Sequence, residues 1–198
     1  VVDAEIIDAK GCYVVPGGID IHAHGGGNHD FLEGTEEAFR AAVNAHLKHG
    51  TTSIYPTLST CTMPMIEAAC KTCGELMNEE DSPILGLHID GPYLNPKQAT
   101  SQNPDWIKAP VAEEYNPILD KYTCIKRWDE APELPGSIEF ISACRRHGVL
   151  PALSCTHATY NDVEAAHRAG MTHATHFYNA MPVVYKEREF KVPGTVES

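Results

Sequence analysis

The sequence lacks any apolar run of membrane-spanning length and shows no signal-peptide pattern. Positive charge is scarce: 15 Lys and Arg face 27 Asp and Glu, for a net charge of −12. That balance excludes a nucleic-acid groove or an anionic membrane as the main partner, and any anionic substrate must be held by local positive groups. There is no internal repeat and no low-complexity tract. The seven cysteines are odd in number and scattered, and Cys70-x-x-Cys73 has no second CxxC to complete a zinc ribbon. These features predict reduced thiols in a cytoplasmic protein, with Cys70 and Cys73 as plain residues of an amphipathic helix over Pro64–Met77. What remains is ordinary for one globular core: 198 residues, 42% hydrophobic and 21% charged.

Apolar strand-like runs alternate with helix-like stretches along the chain. Ile19–His22 precedes Glu36–His49, Thr52–Leu58 precedes Pro64–Met77, and Ile84–Ile89 precedes a long polar loop. Tyr122–Trp128 leads to Ser137–His147, Val149–Ser154 to Asn161–Ala169, and a last strand runs through Met171–His176. Thr35 and Asn161 mark helix starts, and Gly50, Gly148 and Gly170 mark stops. Repeated β-α steps predict an α/β fold with a parallel sheet, and about six of them favour a (β/α)8 TIM-like barrel truncated to about six β/α units. A full barrel of this kind takes about 250 residues, so the expectation is a fragment of a longer enzyme. The expected division is residues 1–15 as the tail of a small β-sandwich-like segment and residues 16–198 as a partial barrel.

Chemistry-bearing residues cluster at the C-terminal ends of the predicted strands, where barrels of this type do their work. His22-Ala23-His24 closes the first apolar run, and alternation along a strand sends both imidazoles to one side as a bidentate platform for a divalent ion. Gly25-Gly26-Gly27 follows and permits close approach. Further ends carry His88-Ile89-Asp90, Cys155-Thr156-His157 and His173-Ala174-Thr175-His176. Ligand-capable side chains at four of about six strand ends predict a metal site suited to hydrolysis. Trp106 and Trp128 are expected in packing, and Lys97 in a solvated loop. His46, His49, His147 and His167 are expected on helix surfaces, and Asp20 in a structural role.

Several motifs are more specific. Pro16-Gly17-Gly18-Ile19-Asp20-Ile21-His22-Ala23-His24-Gly25 resembles the opening signature of the amidohydrolase superfamily. Within it, four further segments resemble the N-acetylglucosamine-6-phosphate deacetylases: Gly50–Ser53 with Pro56-Thr57-Leu58, Gly86–Pro96 around His88-Ile89-Asp90-Gly91-Pro92, Glu130-Ala131-Pro132-Glu133, and Ala169–Pro182 with His176-Phe177-Tyr178-Asn179-Ala180-Met181. The resemblance runs in order over nearly the whole chain. It implies removal of an acetyl group from a phosphorylated amino sugar by metal-activated water, in a homodimer. It places metal ligands at Asp90, Cys155 and His176, sugar-phosphate contacts at Asn179 and Ala180, and a sugar contact at Gln102. A phosphate-binding arginine supplied across the dimer falls on Arg188.

The chain departs from the family pattern. Asp90 stands where glutamate is usual, Cys155 where histidine is usual, and Gln102 where a histidine binds sugar. A thiolate is a sound zinc ligand, and His157, two residues on, is the alternative to Cys155. The family's catalytic aspartate matches nothing here and is expected downstream of Ser198, so the fragment is expected to be inactive alone. His22 and His24 raise the possible count from one ion to two, with Asp90 as the bridge. Zinc is the first expectation, while iron, manganese and cobalt also suit the donors. Two alternatives stay open: another amidohydrolase, dihydroorotase-like or aminoacylase-like, and a non-catalytic metal-binding or sugar-phosphate-binding relative.

Overall fold

The structure is a computed structural model and describes residues 5–99 and 101–198. Six strands form one parallel sheet: β1 (Gly18–Ala23), β2 (Thr51–Leu58), β3 (Leu87–Tyr93), β4 (Ile125–Glu130), β5 (Leu150–Leu153) and β6 (His173–Ala174). Each pairs with its neighbour in sequence, so the order is β1-β2-β3-β4-β5-β6. Helices α1 (Glu36–Leu47), α2 (Met63–Leu76), α3 (Ala112–Lys121), α4 (Ser137–Arg146) and α5 (Tyr160–Ala169) make the crossovers. The result is a curled, half-barrel sheet, as the β-α alternation predicts. Residues 5–17 form no strand, and residues 1–4 of the expected β tail lie outside the described residues.

Local chemistry explains the boundaries. The Thr35 hydroxyl accepts from Ala38 N (3.2 Å) and caps α1, whose buried face is Ala38, Phe39, Ala42 and Val43. α5 starts at Tyr160, one residue earlier than expected, because Thr159 and Asp162 form a capping box there. It stops at Gly170, which adopts φ 114°, a left-handed conformation that side-chain-bearing residues rarely take. The stretch expected to be a long polar loop contains α3. Pro117 and the acidic pair Glu113–Glu114 hide it in the sequence, while packing of Tyr115, Ile118 and Leu119 into the core holds it in place.

β3 is buried along its whole length, as expected of a strand covered on both faces. Leu87 and Ile89 join the core cluster with Trp128 and Phe140. Trp128 stacks on Tyr93 with centroids 5.8 Å apart, and its indole N–H donates to Gly91 O (2.8 Å). Alternation then gives the opposite face of β3 to His88 and Asp90. The register pairs these with Arg127 and Asp129 of β4. Packing on one face of the sheet thus forces polar and ionisable groups together on the other.

Candidate metal centre

The first donors come from the end of β1. The Ala23 N–H donates to Thr57 Oγ1 (3.1 Å) and the His22 N–H to Asp20 Oδ1 (3.0 Å), which fixes the backbone on either side of His22. His22 Nε2 and His24 Nε2 lie 3.1 Å apart, and His24 Nδ1 is 3.0 Å from Ser59 Oγ. Asp90, 1% exposed at the end of β3, faces both rings: its Oδ2 is 3.8 Å from His22 Nε2 and 3.9 Å from His24 Nε2. His176, beyond β6, approaches the same oxygen with Nε2 at 3.6 Å. Gln102 donates to Asp90 Oδ2 (3.1 Å) while its own oxygen accepts from Thr60 N (2.7 Å), and Ser154 donates to Asp90 Oδ1 (3.3 Å). Asp90 is the vertex at which four strand ends meet.

The donor set fits a divalent ion. Ligands about 2.1 Å from a tetrahedral centre lie about 3.4 Å from one another, and the edges here are 3.1, 3.8 and 3.9 Å. His22, His24 and Asp90 are the group of three gathered within 4.8 Å among the described residues. Burial, reinforced by nearby His88, lowers the His22 imidazole to about 4, which leaves a neutral ring with a lone pair to give. The His176 pKa is raised, chiefly by the Asp90 carboxylate that faces it at 3.6 Å, and its Nδ1 is buried without a partner. The backbone around the mouth is strained. Cys155 (φ 42°), His176 (φ 32°), Tyr178 (φ 75°) and Ala180 (φ 55°) all occupy the left-handed region, a cost that surrounding contacts must over-determine.

Beneath the histidines lies a buried charged layer. His88 Nε2 is 2.9 Å from Asp129 Oδ1, and Arg127 Nε donates to the same oxygen (3.2 Å). Arg127 also donates to Thr175 Oγ1 (2.8 Å), Ile21 O (3.3 Å) and His22 Nδ1 (3.4 Å). Burial opposes ionisation of Asp129, but His88 and Arg127 outweigh it and hold the carboxyl down at about 2. This layer connects β1, β3, β4 and the end of β6. Neither Arg127 nor Asp129 is singled out by sequence reasoning. The available signal was a run of charged residues, Lys126, Arg127, Asp129 and Glu130, in a segment that alternation with helices marks as a buried strand.

The remaining expected residues are distributed unevenly. Cys155 follows Ser154 and is buried, with its thiol raised to about 11 by burial and the charge of Asp90. His157 does not share a strand face with it. β5 closes at Leu153 and the chain turns at Cys155, so strand alternation does not extend that far. Instead the His157 N–H donates to Glu133 Oε1 (2.7 Å), and its ring lies against Gln98 and Tyr185. Asn179 is exposed, and Ala180 O accepts from Thr156 N (3.1 Å), tying the β5 and β6 loops. Arg188 is exposed in the turn of a hairpin formed by Tyr185–Glu187 and Phe190–Val192. His46, expected on the surface, is half-buried with Nε2 3.0 Å from Gly25 O.

A parallel half-barrel with histidine and carboxylate donors at its strand ends is the architecture of a metal-dependent hydrolase. Residues 13–196 match the amidohydrolase family, and the chain belongs to it. Within that family it is similar to N-acetylglucosamine-6-phosphate deacetylases. The Haemophilus influenzae protein is 31% identical over 191 residues, covering 96% of this chain and 50% of that one. The solved structure from Pasteurella multocida superposes with a TM-score of 0.84 at 28% identity, covering 92% of this chain and 47% of that one. The Mycobacterium smegmatis enzyme, solved in complex with N-acetyl-D-glucosamine-6-phosphate, gives 0.82 at 30% identity, covering 92% of this chain and 46% of that one. The chain spans about half the length of the curated relatives it matches.

Proposed function

We propose that the protein to which this chain belongs hydrolyses the acetamide of N-acetylglucosamine 6-phosphate. The convergence of His22, His24 and Asp90 in a chain so similar to these deacetylases carries the proposal. A divalent ion held there would polarise an acyl carbonyl and acidify water. The chain's own part is to hold the donors. Asp90 is the central ligand, His22 and His24 bind from one side, and His176 from the other, with Cys155 as a further candidate. The ring of His157, turned toward Gln98 and Tyr185, would have to swing away from them to join the set. Zinc suits these ligands best, with iron, manganese or cobalt as chemically matched substitutes.

Gln102 is bonded to Asp90 and can turn its amide toward a sugar hydroxyl. Asn179 and Ala180 are assigned to the sugar phosphate. Arg188 is assigned to the same phosphate across a homodimer, consistent with its exposure in a hairpin turn. No helix among the described residues is long and apolar enough to cross a membrane, and a cytoplasmic location is part of the proposal.

Asp90→Ala tests the proposal in the whole protein. Bound divalent metal per chain, read by elemental analysis, is expected to fall to background. Release of acetate is expected to drop more than about 100-fold, beyond the usual cost of losing an outer-shell partner. Unchanged metal content would refute the site. Hydrolysis of a cyclic ureide or an acyl amino acid in place of the sugar phosphate would keep the family chemistry and overturn the substrate.

A further inference from the structure

At the opposite ends of the strands, away from the metal centre, three buried cysteines meet. Cys70 and Cys73 lie three residues apart on one face of α2, and Cys124 immediately precedes β4. The Cys124 thiol donates to Cys70 O (3.3 Å), which seats it against the stretch of α2 that carries Cys70 and Cys73. A cleft of about 510 Å3 reaches this cluster from solvent, and Cys70 and Cys124 form part of its wall. Lys71, Lys121 and Lys126 also line the cleft with the carboxylate of Glu75, and Lys121 is paired with Glu67 of α2 (3.2 Å). The three thiols do not form a group gathered within 4.8 Å, so their geometry favours pairwise sulfur chemistry over a shared metal ion.

We propose that Cys124 and Cys70 form a thiol–disulfide exchange site for a small anionic disulfide of the glutathione type, with Cys73 as an alternative partner. The lysine-lined cleft supplies the charge complementarity for such a reagent in an otherwise acidic chain. Cys124, as thiolate, attacks one sulfur of the reagent, forming a mixed disulfide and releasing one reagent thiolate. Cys70, after losing its proton, then attacks the Cys124 sulfur and expels the second reagent thiolate. Two protein thiols become one disulfide, and the reagent disulfide becomes two thiols, so two electrons pass to the reagent and both protons remain with its products. Hydrogen bonds from Cys70, then Cys73, draw the Cys124 thiol below its ordinary range, which fits its role as attacking group. The bridge would join α2 to the start of β4. The site is separate from the metal centre and independent of the proposed deacetylation.

Oxidised glutathione tests this on the native protein, with alkylation of free thiols, trypsin digestion and mass spectrometry. The expected product links the peptide Tyr122–Lys126 to the one ending in Cys70-Lys71, with two thiols lost and metal content unchanged. Cys124→Ser is expected to abolish the link, and Cys70→Ser to move it to Cys73. Full alkylation of Cys124 after exposure to the reagent would overturn the proposal. So would a glutathione adduct that persists on Cys124 with no link to α2.

Discussion

Replacing Asp129 by alanine is expected to cost about 3–5 kcal/mol of folding stability, the usual penalty for removing one partner from a buried ion pair. Asp129 is fully buried, with His88 Nε2 2.9 Å away and Arg127 Nε 3.2 Å away on the same oxygen. Its loss leaves a 7%-exposed guanidinium with no carboxylate partner. Urea denaturation monitored by Trp128 fluorescence would read the change as a lower midpoint at unaltered slope. Asp129→Asn keeps the shape and one acceptor oxygen while removing the charge and turning the other oxygen into an amide donor, and is expected to cost less. Equal costs for the two variants would mean that the charge, lost in both, is what Asp129 supplies, and that its shape and remaining acceptor oxygen contribute nothing. Since Arg127 also contacts His22 Nδ1 and Ile21 O, either variant is expected to loosen the metal centre too, with weaker metal binding as the readout.

Glu130→Gln is expected to act in the opposite direction, and only at higher pH. Glu130 ends β4 fully buried, and neither carboxyl oxygen makes a hydrogen bond, the nearby Ser137 hydroxyl donating instead to Ala131 O (3.1 Å). Burial raises its pKa from 4.5 to about 8, helped by the charge of Glu133. In the folded protein the group is therefore protonated at neutral pH, whereas in the unfolded chain it ionises above 4.5. Its stabilising contribution is intact below pH 4.5, falls as pH rises to about 8, and is flat beyond. The loss spans about 3.5 pH units, an upper limit of about 4–5 kcal/mol. Glutamine removes the ionisation, so the difference in urea midpoint between variant and parent should grow in the variant's favour from pH 4.5 to 8.5. A difference that does not vary with pH would show that Glu130 is ionised or hydrated in the folded state.

Much of the fold is legible in the sequence because its signals are local. Gly170 stops a helix through its own backbone freedom, and Thr35 caps one through its own hydroxyl. α3 was not legible. Its stability comes from Tyr115, Ile118 and Leu119 meeting a core assembled from distant segments, while its local sequence carries a proline and the acidic pair. The same division runs through the site. His22-x-His24 and the segment around Asp90 offer candidate donors by residue type and spacing, whereas the relation of His157 to Cys155 depends on where β5 stops.

The amino-acid order alone determined the alternation of strands and helices, and with it the parallel sheet that carries His22, Asp90 and His176 to one rim. Periodicity and turn chemistry act over a few residues and need no partner to be expressed. Only the tertiary structure decided that His22, His24 and Asp90 converge within 4.8 Å, and that Arg127 and Asp129 form a charged layer beneath them. It likewise decided that Cys124 meets Cys70 across 54 residues of chain. Such distances are set by strand register and by helices packing on the outer face of the sheet, terms that sum over the whole molecule and belong to no single segment.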